Sequence, residues 1–289
     1  MLTISVIIWC LFIEVITSEK DGSQLPKTLQ LETGKCWGYE EDCDWSRKVG
    51  EPGCDENARG WNGEIDPKKT FYNQADFGYL KEKLQTMKTF CKPKKNVKAA
   101  SKLQCSENME FCTASNVALD FRKLKDRVRS ENLKYKMDIF SEGDIQLSGC
   151  HLDQEAVKSN LEFMSPLQSW SPELQHVKVN DDRSQKCDVT LDKPVFIMKL
   201  DASVNMYHHF CDFFNLYLSL HLNYSLSGMD PNVWNTDKHI LLLENIPTAK
   251  KSPFSPSWFA FTKNPLIDLN EVAGKIVCIK EAVFPLLAR

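Results

Sequence analysis

The sequence is notable first for what it lacks. No two cysteines form a CxxC pair and their spacings are irregular, which argues against a structural zinc site. There is no HExxH, the helix-borne spacing of zinc hydrolases. No charge sign dominates: 36 Lys+Arg face 39 Asp+Glu, a net of -3, so no nucleic-acid partner is expected. The basic stretch Lys92 to Lys102 contains Pro93 and no aromatic residue, and a solvated loop fits it better than a binding patch. No internal repeat and no low-complexity tract occurs. Beyond the first residues no apolar run is long enough to span a bilayer. The most apolar window, Met198 to Leu222, contains Asp201, three histidines and Asp212, groups too costly to leave in hydrocarbon.

The apolar run that does occur is at the start. Leu2 to Ile13 has the length of a signal-peptide core, and Thr17 and Ser18 supply small residues before Glu19-Lys20-Asp21. The alternative, a membrane anchor, needs about 20 apolar residues, and Glu14 interrupts this run. Residues 1–18 are therefore expected to be a cleaved signal peptide, with no membrane span after cleavage. Of 11 cysteines, Cys10 leaves with the signal. The remaining even number, in an oxidising compartment, implies a disulfide framework. Sequence does not fix the pairing. Proximity favours Cys36/Cys43/Cys54 and Cys91/Cys105/Cys112 as local groups. Asn223-Tyr224-Ser225 is the sole glycosylation sequon and would need to be exposed.

Cys36 to Trp61, with three cysteines, several glycines and Pro52, is expected to be irregular and disulfide-tied. Asp76 to Phe90 and Leu119 to Phe140 carry apolar residues at helical spacing, with Gly143 and Gly149 closing that unit. Residues 19–160 thus form a cysteine-rich, mainly helical region. The texture then changes. Ser171-Pro172-Glu173 is a helix start, with Ser as N-cap, Pro at the first helical position and an acid in the first turn. Pro194 to Leu200, His239 to Leu243 and Lys275 to Ile279 suit buried strands, and Val204 to Leu222 suits a buried helix. Residues 161–289 are therefore expected to be an α/β layer with a parallel sheet.

The densest polar cluster in an apolar setting is Asp201, Asn205, His208, His209 and Asp212. It follows directly on the strand Val195 to Leu200, and ligands in open α/β sheets sit beyond the carboxyl ends of strands. Asn205/His208, Asn205/His209 and His208/Asp212 are i,i+3 or i,i+4 pairs. A carboxylate beside a histidine suits general-base work. Metal binding is the weaker reading, because adjacent histidines diverge on a helix. A third reading has His208 and Asp212 only stabilising the turn between strand and helix.

The segment Lys199 to Asn215, KLDASVNMYHHFCDFFN, resembles the signature of the EGF-domain-specific O-linked N-acetylglucosamine transferases. Asn205-Met206-Tyr207-His208, Phe210 and Asp212 also resemble the core N-x-[FY]-H-x-F-x-D of the wider family, glycosyltransferase family 61, which includes plant xylosyl- and arabinosyltransferases. Further matching words follow in order: Cys36 to Glu40, Gln74 to Tyr79, Leu119 to Arg122, Ser165 to Trp170 and Lys280 to Phe284.

The resemblance implies an inverting transferase of the endoplasmic reticulum lumen. It would move N-acetylglucosamine from UDP-N-acetylglucosamine to Ser or Thr of folded EGF-like repeats on secreted or membrane proteins. The catalytic candidates it implies are His208, His209 and Asp212, with Asp201 and Asn205 shaping the turn. The implied fold is the B-type glycosyltransferase fold, of which residues 161–289 would be the first, Rossmann-like lobe. The second, donor-binding lobe would begin about where this chain ends, and no donor-binding residue is expected here. Where relatives carry an acidic D-x-D-like triplet, this sequence has Lys263-Asn264-Pro265, so no divalent metal is expected. The literal D-x-D, Asp42-Cys43-Asp44, is read as a solvated loop. The apolar run Phe284 to Leu287 calls for a partner surface.

Overall fold

The computed structural model describes residues 76, 78–124, 139–159, 168–180, 186–200, 205–227, 236–243 and 254–287. All of them lie in the compact unit Glu64–Arg289. The expectations for the signal peptide, the segment Cys36 to Trp61 and Asp42-Cys43-Asp44 fall outside the described residues.

Eleven strands among the described residues form one mixed sheet. The first helix, α1 (Tyr79–Gln85), leads into β1 (Lys88–Pro93), β2 (Lys102–Cys105), β3 (Cys112–Asp120), β4 (Ile145–Ser148) and β5 (Cys150–Leu152). Two short helices, α2 (Gln154–Ser159) and α3 (Ser171–Leu174), precede β6 (Val177–Asn180), β7 (Val189–Leu191) and β8 (Val195–Met198). The long helix α4 (Met206–Ser227) is followed by β9 (His239–Leu242), a 3-10 turn at Ser255–Ala260, β10 (Ile267–Asp268), α5 (Leu269–Val272) and β11 (Ile276–Phe284).

The sheet order β10-β9-β8-β11-β3-β2-β1-β5 joins a parallel half to an antiparallel half. β10, β9, β8 and β11 are mutually parallel along that path. Every residue of β8 is buried, as expected of a parallel strand covered on both faces. β11 then pairs antiparallel with β3, from Ile276↔Asp120 to Phe284↔Cys112. An α/β fold is thus present, but its sheet is mixed, with the expected parallel strands forming one half. Its strands nonetheless come from both sides of residue 160, because β3 and β11 are neighbours.

The helix expected over Asp76 to Phe90 stops at Gln85. Its end, Lys88–Pro93, is instead a strand paired with β2 and β5. Likewise Leu119 and Asp120 end β3 rather than start a helix, and residues 125–138 lie outside the described set. Long-range ladder pairing outweighs a local helical period at both places. The segment Lys92 to Lys102 connects the antiparallel pair β1–β2. Gly149, at φ 64, is the single residue between β4 and β5, a left-handed position that suits glycine.

Three disulfides staple this sheet: Cys91–Cys150, Cys105–Cys112 and Cys187–Cys278. The local grouping of Cys91, Cys105 and Cys112 holds for one pair only. Cys91 instead joins β1 to β5, its partner in the ladder. The expected helix start at Ser171 is shifted by one residue. Trp170 is the N-cap and Ser171 the first helical residue, with Pro172 at the second position. Glu173 is the first-turn acid, as expected, and its side chain is buried. Finally, the apolar run after β11 finds its partner surface within the chain. The Leu286 amide donates to Ser219 Oγ on α4 at 2.8 Å, and Trp170 Nε1 donates to the Pro285 carbonyl at 2.7 Å.

Candidate functional site

The site expected from sequence begins where β8 and β9 end. The Leu243 amide donates to the Met198 carbonyl at 2.8 Å, so the two carboxyl ends lie side by side. Asp201 falls in the short stretch between β8 and α4 that is outside the described residues. Asn205 immediately precedes α4. Its Oδ1 faces the His208 amide at 3.4 Å and its carbonyl accepts from the His209 amide at 2.9 Å. This is the N-cap arrangement that asparagine favours.

The helix then separates the other three candidates. Adjacent residues on a helix diverge by about 100°, so His208 and His209 point differently. His208 is half-buried. His209 is fully enclosed at 0% exposure and Asp212 nearly so at 2%. Around His209 stand Phe213 at 4.5 Å, Trp258 at 5.4 Å and Phe254 at 5.5 Å between ring centroids. Burial in this aromatic box lowers the His209 pKa, which keeps its imidazole neutral near pH 7. Neither ring nitrogen has a hydrogen-bond partner, and the buried Trp258 Nε1 beside it has none either. Orphaned buried polar atoms are costly. His208 is thus partly open to solvent, whereas His209 and Asp212 are enclosed.

The sequence reading missed Phe254 and Trp258 because they come from the 3-10 turn, far along the chain from α4. It also missed a buried ion pair behind the site. Lys199, directly after β8, places Nζ 2.7 Å from Glu173 Oε1 and 4.9 Å from the centre of the Trp170 ring. Burial pushes both groups toward neutrality, the Lys199 pKa down and the Glu173 pKa up.

The place of the relatives' acidic triplet lies at the opposite, amino end of the parallel strands. Asn264 Nδ2 donates to the Lys238 carbonyl at 2.8 Å and to Asp237 Oδ1 at 3.3 Å, and Thr262 Oγ1 donates to the Lys238 carbonyl. Here Lys263-Asn264-Pro265 forms a turn tied to the start of β9. No group of three or more metal-ligating side chains occurs among the described residues. Asn223 lies in the last third of α4 and is half-buried.

Grooves of about 840 and 300 Å³ are lined by other parts of the molecule, the first including Glu142, Lys158 and His176, the second Asn116, Gln146 and Lys280. No residue of α4 lines either one. The α4 cluster lies instead beside an open helix face, with Tyr207 and Phe210 more than half exposed.

No protein-family model matches the chain. Individual proteins do. The chain is 41% identical over 284 residues to the EGF domain-specific O-linked N-acetylglucosamine transferase of Drosophila melanogaster, covering 94% of this chain and 52% of that protein. The transferase of the same name from Gallus gallus is 41% identical over 260 residues, covering 88% of this chain and 45% of the relative. That of Rattus norvegicus is 38% identical over 275 residues, covering 93% and 49%. The share agrees with the portion expected from the sequence words. The chain is a relative of the EGF domain-specific O-linked N-acetylglucosamine transferases and spans about half the length of the curated relatives it matches.

Proposed function

We propose that the chain serves in transfer of N-acetylglucosamine from UDP-N-acetylglucosamine to Ser or Thr of folded EGF-like repeats, in the endoplasmic reticulum lumen. The similarity to transferases named for EGF domains is the observation that carries this reading. The disulfides support an oxidising compartment.

In the reaction, the acceptor hydroxyl oxygen attacks the anomeric carbon while the bond from that carbon to UDP breaks. UDP leaves with the electron pair, the hydroxyl proton passes to a protein base, and the configuration inverts. His208 is the member of the cluster open to an acceptor. Asp212 follows one turn on along the helix, at the spacing from which a carboxylate can orient a histidine. Asn205 caps the helix that carries both, and His209 anchors it in the aromatic box. No divalent metal is assigned a part.

The test is to incubate the chain with UDP-N-acetylglucosamine and a single folded EGF-like repeat, and to read the intact mass of the repeat. Gain of one N-acetylhexosamine is expected. A second reading is a non-catalytic EGF-repeat-binding relative, and binding without mass gain would select it. Neither binding nor transfer would sink both and leave a secreted cysteine-rich protein whose α4 cluster is structural.

A further inference from the structure

From residue 202 to 229 the sole Asp, Glu, Lys or Arg is Asp212, and it is buried. A helix without charge on its outer face is ordinarily covered all round. The first half of α4 is not. Met206 is 62% exposed, Tyr207 73%, Phe210 55% and Phe214 60%. Their spacing of three, four and seven residues puts them on one face, bordered by the buried Phe213, whose ring lies 5.9 Å from that of Phe210. Together they expose on the order of 600 Å² of mostly apolar surface, at the upper end of what a monomer ordinarily leaves uncovered.

We propose that this aromatic face of α4 is the surface on which the acceptor module docks, a small disulfide-bonded EGF-like repeat. The inference rests on the functional reading above and adds the contact that selects the acceptor. Two features favour this occupant over a second copy of the chain. First, the patch falls short of the roughly 800 Å² per partner typical of a stable complex and suits a transient encounter. Second, it starts at the helix end that carries Asn205 and His208, so a module seated on it presents its hydroxyl groups beside the candidate base. Binding there is expected to depend on rings rather than charge, and hence to be nearly insensitive to salt.

The experiment uses the whole chain and one recombinant folded EGF-like repeat as the probe, followed by biolayer interferometry and hydroxyl-radical footprinting. Tyr207, Phe210 and Phe214 should oxidise readily in the free chain and be protected by the repeat. The triple variant Tyr207→Ser/Phe210→Ser/Phe214→Ser should weaken binding by about tenfold or more. Phe214→Lys, which introduces a charge without removing a buried group, should weaken it in the same direction even if the triple variant folds poorly. Lys94→Glu, on the β1–β2 connection, should leave it unchanged.

Wild-type binding with equal binding by Phe214→Lys and a folded triple variant overturns this inference alone. Absence of wild-type binding overturns the functional reading with it. Protection of the three rings in the free chain, or a concentration-dependent dimer that Phe214→Lys dissolves, assigns the face to another segment of the chain or to a second copy, and also overturns it.

Discussion

Lys199 Nζ lies 2.7 Å from Glu173 Oε1 with both side chains almost wholly buried, at 2% and 4% exposure. The same ammonium reaches the Ser169 carbonyl at 3.3 Å. The pair thus ties the carboxyl end of β8 to α3. Breaking a buried pair from one side leaves the other charge stranded, at a cost of about 3–5 kcal/mol. Lys199→Met and Glu173→Leu are each expected to destabilise the chain in that range. Lys199→Met/Glu173→Leu should recover much of the loss, since apolar replacement of a whole pair is often neutral. Urea unfolding of the four proteins of the cycle measures it, and additive single effects would contradict the coupling.

His221 is buried on α4, and burial pulls its pKa down to about 4. The unfolded chain binds this proton near pH 6.5 and the native chain only near pH 4, so the stabilisation is present above 6.5 and lost as pH falls. Between pH 7 and 4.5 the wild type should lose about 2 kcal/mol more than His221→Phe. Denaturant midpoints at the two pH values test this. Parallel slopes in the two proteins would show that His221 does not titrate in this way.

The disulfides should differ in weight. Cys91–Cys150 closes a loop with a sequence separation of 59, Cys105–Cys112 one of 7. Restricting the unfolded chain predicts about 4 kcal/mol for the first and about 2.5 for the second. Double Cys→Ala variants compared by unfolding should rank in that order, and the reverse order would point to native-state effects instead.

Transfer to an EGF-like repeat should respond to His208 and Asp212 of α4 in a graded way. A general base contributes about 10²–10⁴-fold. His208→Ala is expected to fall within that span, and Asp212→Asn to lose less because it acts through His208 and not on the acceptor. Rates measured at saturating donor, with circular dichroism confirming the fold, decide it. Full activity in both variants would remove these residues from the chemistry.

Parts of this arrangement were legible in the chain itself. β8, β9 and the core of β11 follow from short apolar runs, and α4 from an apolar stretch too long for a strand. The clustering of Asn205, His208 and Asp212 is a matter of helical spacing alone. Phe90 and Cys91 show where local pattern stops being informative. Phe90 continues a helical period, yet Cys91 is held in a ladder against Leu152, and nothing within a helical turn of either residue encodes that partner.

Composition and periodicity determined that a mostly apolar helix with two adjacent histidines follows a buried strand. The tertiary structure decided which histidine faces inward. Phe254 and Trp258, more than forty positions along the chain, enclose His209 and leave His208 at the surface. Glu173 likewise reads in the sequence only as a first-turn acid, and the fold buries it against Lys199 at the end of β8. In both cases the environment of a polar group is set by residues distant in sequence, and burial, unlike helical spacing, is a property of the packed fold.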